Sequence, residues 1–321
     1  MKLTSVLFVT LVLVFGGFFC GTAFAGKSVS VAYSSVGDAN PWFNAFSKDM
    51  EKEAKKRGHT YRVTHAQSKV EKQLADVEDM VALKPDILVL GPVDVVGSAA
   101  ALPVAKKAGV PVLVVNRDIQ GTVGKDYITR IHSDFKFIGA SECDIIYSAF
   151  GPDKEIKVVE LHGTPGGGNT IDMSKGFREQ MKKYPNMKIV SSQLGDYNVA
   201  TAMKSMENII QSGIEFNAVF GHFDTEALGA IQALKNAGKK IGSDPSKGEI
   251  IVVGNGGIVD ALKAIKAGDY YGLITVSPYY AAQVFDAIEA YFAGKSQPEY
   301  IRVDDFVIDK KNVDENMWFG F

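Results

Sequence analysis

The chain has 321 residues, 46% of them hydrophobic, with 35 Lys and Arg against 37 Asp and Glu, a formal charge of −2, and two cysteines. That length is more than one hydrophobic core usually organises, so two domains are expected. The near-neutral balance carries no basic stripe and gives nucleic-acid binding no electrostatic support, and so few cysteines rule out a disulfide framework.

The N-terminus differs from the rest. Lys2 precedes an apolar run from Val6 to Phe19, and Ala23-Phe24-Ala25 then places small residues one and three positions before the next bond. This is the pattern of a secretory leader, residues 1–25, cleaved after Ala25. The run is shorter than the roughly 20 apolar residues of a spanning helix. Cys20 departs with the leader, and Cys143 reads as a small buried hydrophobe in a helix.

From Ser28 onward, β-branched runs alternate with amphipathic stretches. Strands are predicted over Ser28–Tyr33, Thr60–His65, Asp86–Leu90 and Val110–Val115, with helices over Trp42–Arg57, Glu71–Leu83 and Val96–Ala108. Continuous apolar strands between helices point to a parallel sheet covered on both faces. Asp134 can cap a helix over Phe135–Phe150, and the pattern then restarts. Strands over Lys157–Leu161, Lys188–Gln193, Ala218–Gly221, Glu249–Val253 and Tyr271–Val276 alternate with helices over Thr170–Lys183, Ala200–Ser212, Thr225–Ala237, Ile258–Ala267 and Pro278–Ala293. The fold class is therefore α/β, with two doubly wound, Rossmann-like parallel sheets. Such sheets bind ligands at the carboxyl ends of their strands, and two that face each other enclose a cleft.

The residues that follow the strands are the candidates for chemistry. Asn40 can cap a helix that begins with Pro41, setting Trp42 and Phe43 at the cleft end, where aromatic faces stack on the C–H face of a sugar ring. Asn116, Arg117 and Asp118 follow VPVLVV; the planar fork of Arg117 suits adjacent hydroxyls or a carboxylate. The glycine-rich stretch from His162 to Asn169 lacks the lysine of a P-loop and the order of a dinucleotide fingerprint. It reads as a flexible turn that lets a ligand or the other domain approach. Asp224 can cap the next helix or face the cleft, and Asn255 follows EIIVV in the same way. No G-x-S-x-G, H-E-x-x-H or C-x-x-C occurs, and the five histidines show no metal-ligand spacing. No enzyme, cofactor or metal is expected.

In this order, Asn40–Phe43, KPDILVLGPVD ending at Asp94, AGVPVLVVNRDI at Ala108–Ile119, the Gly176-Phe177 pair, Asp-x-x-Ala-x-Gly-Ala at Asp224–Ala230 and the late VIDKKNVDE carry a resemblance. The chain resembles the ribose- and galactofuranose-binding family of type I periplasmic substrate-binding proteins, which serve sugar ABC transporters. The resemblance implies a monomer in the periplasm, no nucleic acid, a small sugar-like ligand and a transporter permease as partners. It implies three hinge strands, near Ser133, Val276–Ser277 and Tyr300–Val303. The N-terminal lobe would hold residues 26–132 and 278–300, the C-terminal lobe residues 134–276 and 302–321. A periplasmic sensor subunit of the same fold is the alternative.

Carried over by position, Asn40, Trp42, Phe43, Asn116 and Arg117 match the family's ligand-binding motif, with Asn116 where an Asp is usual. The second lobe departs from it: Met173 stands for an Arg, Phe223 for an Asn, Gly256 for an Asp and Val276 for a Gln. The expected ligand is accordingly smaller than ribose, or less polar on one face: a furanose, a short polyol, a deoxy sugar or a non-sugar. His162, Asn169, Asp172 and Asn255 are the candidates for replacement contacts.

Overall fold

The computed structural model describes residues 28–321, so the leader and its cleavage point lie outside the described residues. The first half runs β1 (Ser30–Ser35), α1 (Pro41–Arg57), β2 (Thr60–His65), α2 (Val70–Ala82), β3 (Ile87–Leu90), α3 (Ala101–Lys107), β4 (Val112–Val115) and β5 (Arg130–Ser133). The second half runs α4 (Phe135–Phe150), β6 (Ile156–His162), α5 (Gly168–Met181), β7 (Met187–Leu194), α6 (Val199–Gln211), β8 (Ala218–Gly221), α7 (Asp224–Asn236), β9 (Ile251–Gly256), α8 (Val259–Ala267) and β10 (Gly272–Thr275). The chain ends with α9 (Ala281–Phe292), β11 (Tyr300–Val303), β12 (Val307–Asp309) and α10 (Val313–Asn316).

Two six-stranded sheets result, ordered β11-β5-β4-β3-β1-β2 and β12-β10-β9-β8-β6-β7. All pairings are parallel except β12 with β10. The central strands β3, β4, β8 and β10 are buried along their whole length, as sheets covered on both faces require. The chain passes between the sheets three times: after Ser133, between Thr275 and Ala281, and between Val303 and Val307. At the passages, Asp305 Oδ1 accepts from Ser277 N at 3.4 Å, and Phe306 N donates to Thr275 Oγ1 at 2.8 Å.

Local chemistry sets the element ends. Asn40 caps α1 by accepting from Trp42 N at 2.9 Å, Pro41 sits in the first turn, and Gly58 closes the helix with φ 76°. Asp134 caps α4 through Phe137 N at 2.9 Å. The helix predicted over Val96–Ala108 is split into a 3-10 turn at Gly97–Ala100 and then α3. Pro103 has no N–H to donate, so the α-helix begins where that residue falls in its first turn. The helix predicted from Pro278 begins at Ala281, because the preceding residues are used in the passage between sheets. Helices α4 and α5 cross where Gly139 faces the Met173 carbonyl and Gly176 faces the Lys136 carbonyl. A Cβ at either glycine would strike the opposing backbone.

Candidate functional site

The first wall of the cleft is built at the carboxyl ends of β1 and β4. Asn116 adopts φ 69°, a left-handed conformation that Asn tolerates better than most residues, and this turn aims Arg117 across the sheet end. Arg117 is buried, and its Nη1 donates to Val93 O at 2.8 Å. Its nearest opposite charges, Asp94 and Asp196, act on it only through space, and burial pushes its pKa down. The guanidinium lies 5.6 Å from the Phe43 ring and 5.6 Å from the Tyr197 ring, sandwiched between the two lobes. Trp42 stacks on Phe46 at 5.2 Å, and its indole N–H donates to Val276 O at 2.9 Å, tying α1 to the passage after β10.

The second wall comes from the loops after β6, β7, β8 and β9. Tyr197 and Asp196 are both left-handed, with φ 52° and 57°, a conformation that costs of order 1–3 kcal/mol per non-glycine residue unless its surroundings impose it. Here they do: Tyr197 N donates to Glu226 Oε1 at 2.6 Å, Tyr197 OH meets Thr170 Oγ1 at 3.0 Å, and the ring lies against Gly163, where a Cβ would collide with it. Asn255, at the end of β9, donates from Nδ2 to Glu142 Oε1 at 3.1 Å and to Met173 Sδ at 3.2 Å. His222 is fully buried after β8. The glycine-rich turn after β6 meets the first lobe, with Val95 N donating to Gly166 O at 3.1 Å.

These walls close on a small inner cavity of about 30 Å³. From the first lobe it is lined by Asn40, Trp42, Phe43, Asn116 and Arg117, and from the second lobe and the passages by Phe135, Asn169, Tyr197, His222, Phe223, Asn255 and Val276. An outer vestibule shares Asn40, Phe43, Arg117 and Tyr197 with it and opens between Gln67 and Asp196. Three buried polar atoms of the inner wall have no partner within the protein: Arg117 Nε, Asn169 Oδ1 and His222 Nδ1. Such atoms are rarely left unpaired in native proteins, and together they offer a guest the Arg117 donor, the Asn169 acceptor and a ring nitrogen of His222.

Five expected residues lie outside this wall. Asp118 turns to β5, where its Oδ1 takes Arg130 Nη1 at 2.9 Å and His132 Nε2 at 3.1 Å. Despite burial, these partners hold its pKa below the usual value. His162 folds back on Gly163 O at 3.0 Å, and Met173 is buried beneath Asn255. Asp172, on α5 next to Met173, is not among the lining residues, and burial raises its pKa. Asp224 caps nothing in its own helix, whose N-cap is Phe223; its Oδ2 instead accepts from Gly257 N and from Ile258 N at 2.8 Å, and Oδ1 faces Tyr270 OH at 3.2 Å. Burial raises Asp224 to about 7 against those hydrogen bonds. The same carboxylate explains Gly256: a Cβ there would collide with it and approach the Phe223 ring to 2.7 Å.

Three wall residues, Phe135, Tyr197 and His222, were not expected. His222 directly follows β8 and Tyr197 lies three residues past the end of β7, close to the rule that singled out Arg117, so position could have found them.

A family model described as a periplasmic binding protein domain matches residues 31–296. The galactofuranose-binding protein YtfQ of Escherichia coli K12 is 34% identical over 274 residues, 84% of each chain. The ribose import binding protein RbsB of Bacillus subtilis is 35% identical over 228 residues, 71% of this chain and 69% of that one. The arabinose-transporter binding protein of Shewanella sp. ANA-3, solved with α- and β-L-arabinofuranose, superposes with a TM-score of 0.83 at 34% identity, covering 90% of this chain and 94% of that one.

Proposed function

The chain belongs to the periplasmic binding protein family, and from that premise we propose that it is the solute-binding component of an ABC importer, capturing a small sugar between its two lobes. The observation that carries this reading is the cavity at the strand ends of both sheets, where aromatic faces stand beside buried polar atoms that the protein itself leaves unpaired. A sugar presents just these two surfaces: C–H faces for rings, and hydroxyls that both donate and accept.

The balance of the walls narrows the class. Phe223 and Val276 line the second side, Met173 lies behind it, and Gly256 has no room for a side chain. A guest with a full ring of equatorial hydroxyls would leave some of them unpaired there, at about 1–3 kcal/mol each when buried. A furanose, a deoxy sugar or a short polyol fits better. The relatives are named for galactofuranose, ribose and arabinofuranose, which lends this range support. A guest that touches both lobes favours their closed arrangement by its differential affinity for it, and the closed form is the one a permease would read. On this reading the chain is exported by cleavage after Ala25 and works as a monomer in the periplasm, with residues 134–276 and 302–321 as the lobe that moves against the first.

Titration calorimetry with L-arabinose, D-galactose, D-ribose and xylitol tests the proposal. Saturable binding of at least one, with a rise in melting temperature, is expected. Absence of heat and of thermal shift with all four at millimolar concentration would refute the sugar reading.

A further inference from the structure

The inference here rests on the sugar reading of the cleft and adds the chemistry of one wall position. The two ring nitrogens of His222 meet different surroundings. Nε2 lies 3.1 Å from Glu160 Oε1, whereas Nδ1 is buried without a partner in a residue that lines the cavity. Glu160 is fixed from two elements. Arg178 of α5 grips both oxygens, Nη1 to Oε1 at 2.8 Å and Nη2 to Oε2 at 2.6 Å. Ser174 of α5 donates to Oε1 at 2.7 Å, and Ser192 of β7 donates to Oε2 at 2.7 Å.

A carboxylate that already accepts from a guanidinium and two hydroxyls stays ionised and has no proton to give. The group that faces it must therefore donate, so the proton of His222 sits on Nε2. Arg178 balances the charge of Glu160, and His162 stands 6.4 Å away, ring to ring, so little favours a second proton on the imidazole. Burial opposes that proton as well. A neutral ring protonated at Nε2 carries a lone pair on Nδ1.

We propose that His222 is a specificity-determining residue, whose Nδ1 accepts a hydrogen bond from a hydroxyl of the bound sugar while Glu160 and Arg178 hold the ring in that tautomer. Across the cavity Arg117 Nε can only donate, so the guest must offer an oxygen to one wall and an O–H to the other. A hydroxylated ring does both. A ligand with a carbonyl or an ether oxygen at the His222 position brings two lone pairs together and is rejected, as is the corresponding deoxy sugar, which leaves Nδ1 unpaired.

The test is calorimetric titration of L-arabinose and D-galactose into the wild type, His222→Phe and His222→Asn. The Phe variant fills the space without an acceptor. It should weaken whichever sugar the wild type binds by about 5- to 150-fold, and the Asn variant, whose side-chain oxygen is an acceptor, should recover part of that loss. A folded Phe variant that binds within about twofold of the wild type overturns the proposal. Should the Phe variant fail to fold, the imidazole ¹⁵N spectrum of the wild type decides. A bare Nδ1 that shifts on addition of the sugar supports the assignment, and an unmoved or protonated Nδ1 overturns it. If the wild type binds none of L-arabinose, D-galactose, D-ribose and xylitol, the sugar reading itself is at fault, and the tautomer of the free protein still judges the claim about the ring: a proton on Nδ1 overturns it, a bare Nδ1 upholds the tautomer.

Discussion

Arg117→Met separates binding from folding. In the wild type Arg117 is only 3% exposed, and its guanidinium makes one hydrogen bond, Nη1 to Val93 O, and lies against two rings. Methionine keeps the apolar stem and removes those contacts. The lost bond leaves a buried carbonyl unpaired, at about 1–3 kcal/mol, and the ring contacts contribute about 0.5–1 kcal/mol each. Against this stands the desolvation of a buried cation with no ion-pair partner, which is several kcal/mol by itself. The two sides nearly cancel, so the sugar-free protein should melt within about 5 °C of the wild type. Binding behaves otherwise: a charge-assisted bond to a ligand oxygen contributes about 1.5–3 kcal/mol, a loss of roughly 10- to 150-fold in affinity. Scanning calorimetry without sugar and titration calorimetry with L-arabinose read the two quantities separately. A variant that binds as tightly as the wild type but melts far lower would refute the reasoning, for Arg117 would then be a strut between Phe43 and Tyr197 rather than a ligand group.

Tyr197→Leu removes one side of the sandwich and should weaken sugar binding about tenfold, read by the same titration. Sugar binding should change the fluorescence of Trp42; Trp318, which is 72% exposed, is the control, and Trp42→Phe should abolish the response. Gly176→Ala forces α5 off α4 and should cost about 1–3 kcal/mol by urea denaturation. Burial raises Asp224 and Asp305 to about 7 and Glu226 to about 8. The folded state thus holds protons that the unfolded chain has released, and stability falls as pH rises from about 4 through 8. The lowered pKa of His222 opposes this only below its ordinary value. Asp224→Asn removes one of these raised acids and should flatten the decline in stability between pH 5 and pH 7, by up to about 1.4 kcal/mol per pH unit.

Periodicity was enough to read the elements that carry a buried stripe or a continuous apolar run, such as β4 and α1. It missed β5, β11 and β12, short strands at or near sheet edges whose pairing depends on residues far away in the chain. The same distinction governs the site. Asn40, Trp42, Asn116 and Arg117 declare themselves because a strand or helix signal lies directly beside them. Asp118 and Asp224 carry the residue types of ligand groups, but local partners capture them: Arg130 and His132 for one, the N–H groups after β9 for the other. Such capture is decided by three-dimensional neighbours and leaves no mark in the local sequence. His222 is the reverse case, a lone histidine whose significance lies in Glu160, brought to it by the pairing of β6 with β8.

The interleaving of the chain between the sheets bears on the order in which the molecule can be assembled. Strand β11 borders β5, and helix α9 packs on α1, yet both are made only after every strand of the second sheet except β12. A polypeptide that emerges N-terminus first therefore cannot finish its first lobe until nearly its whole length is available. The early half waits as an open sheet with α1 uncovered, the kind of late-closing, long-range topology that slows folding.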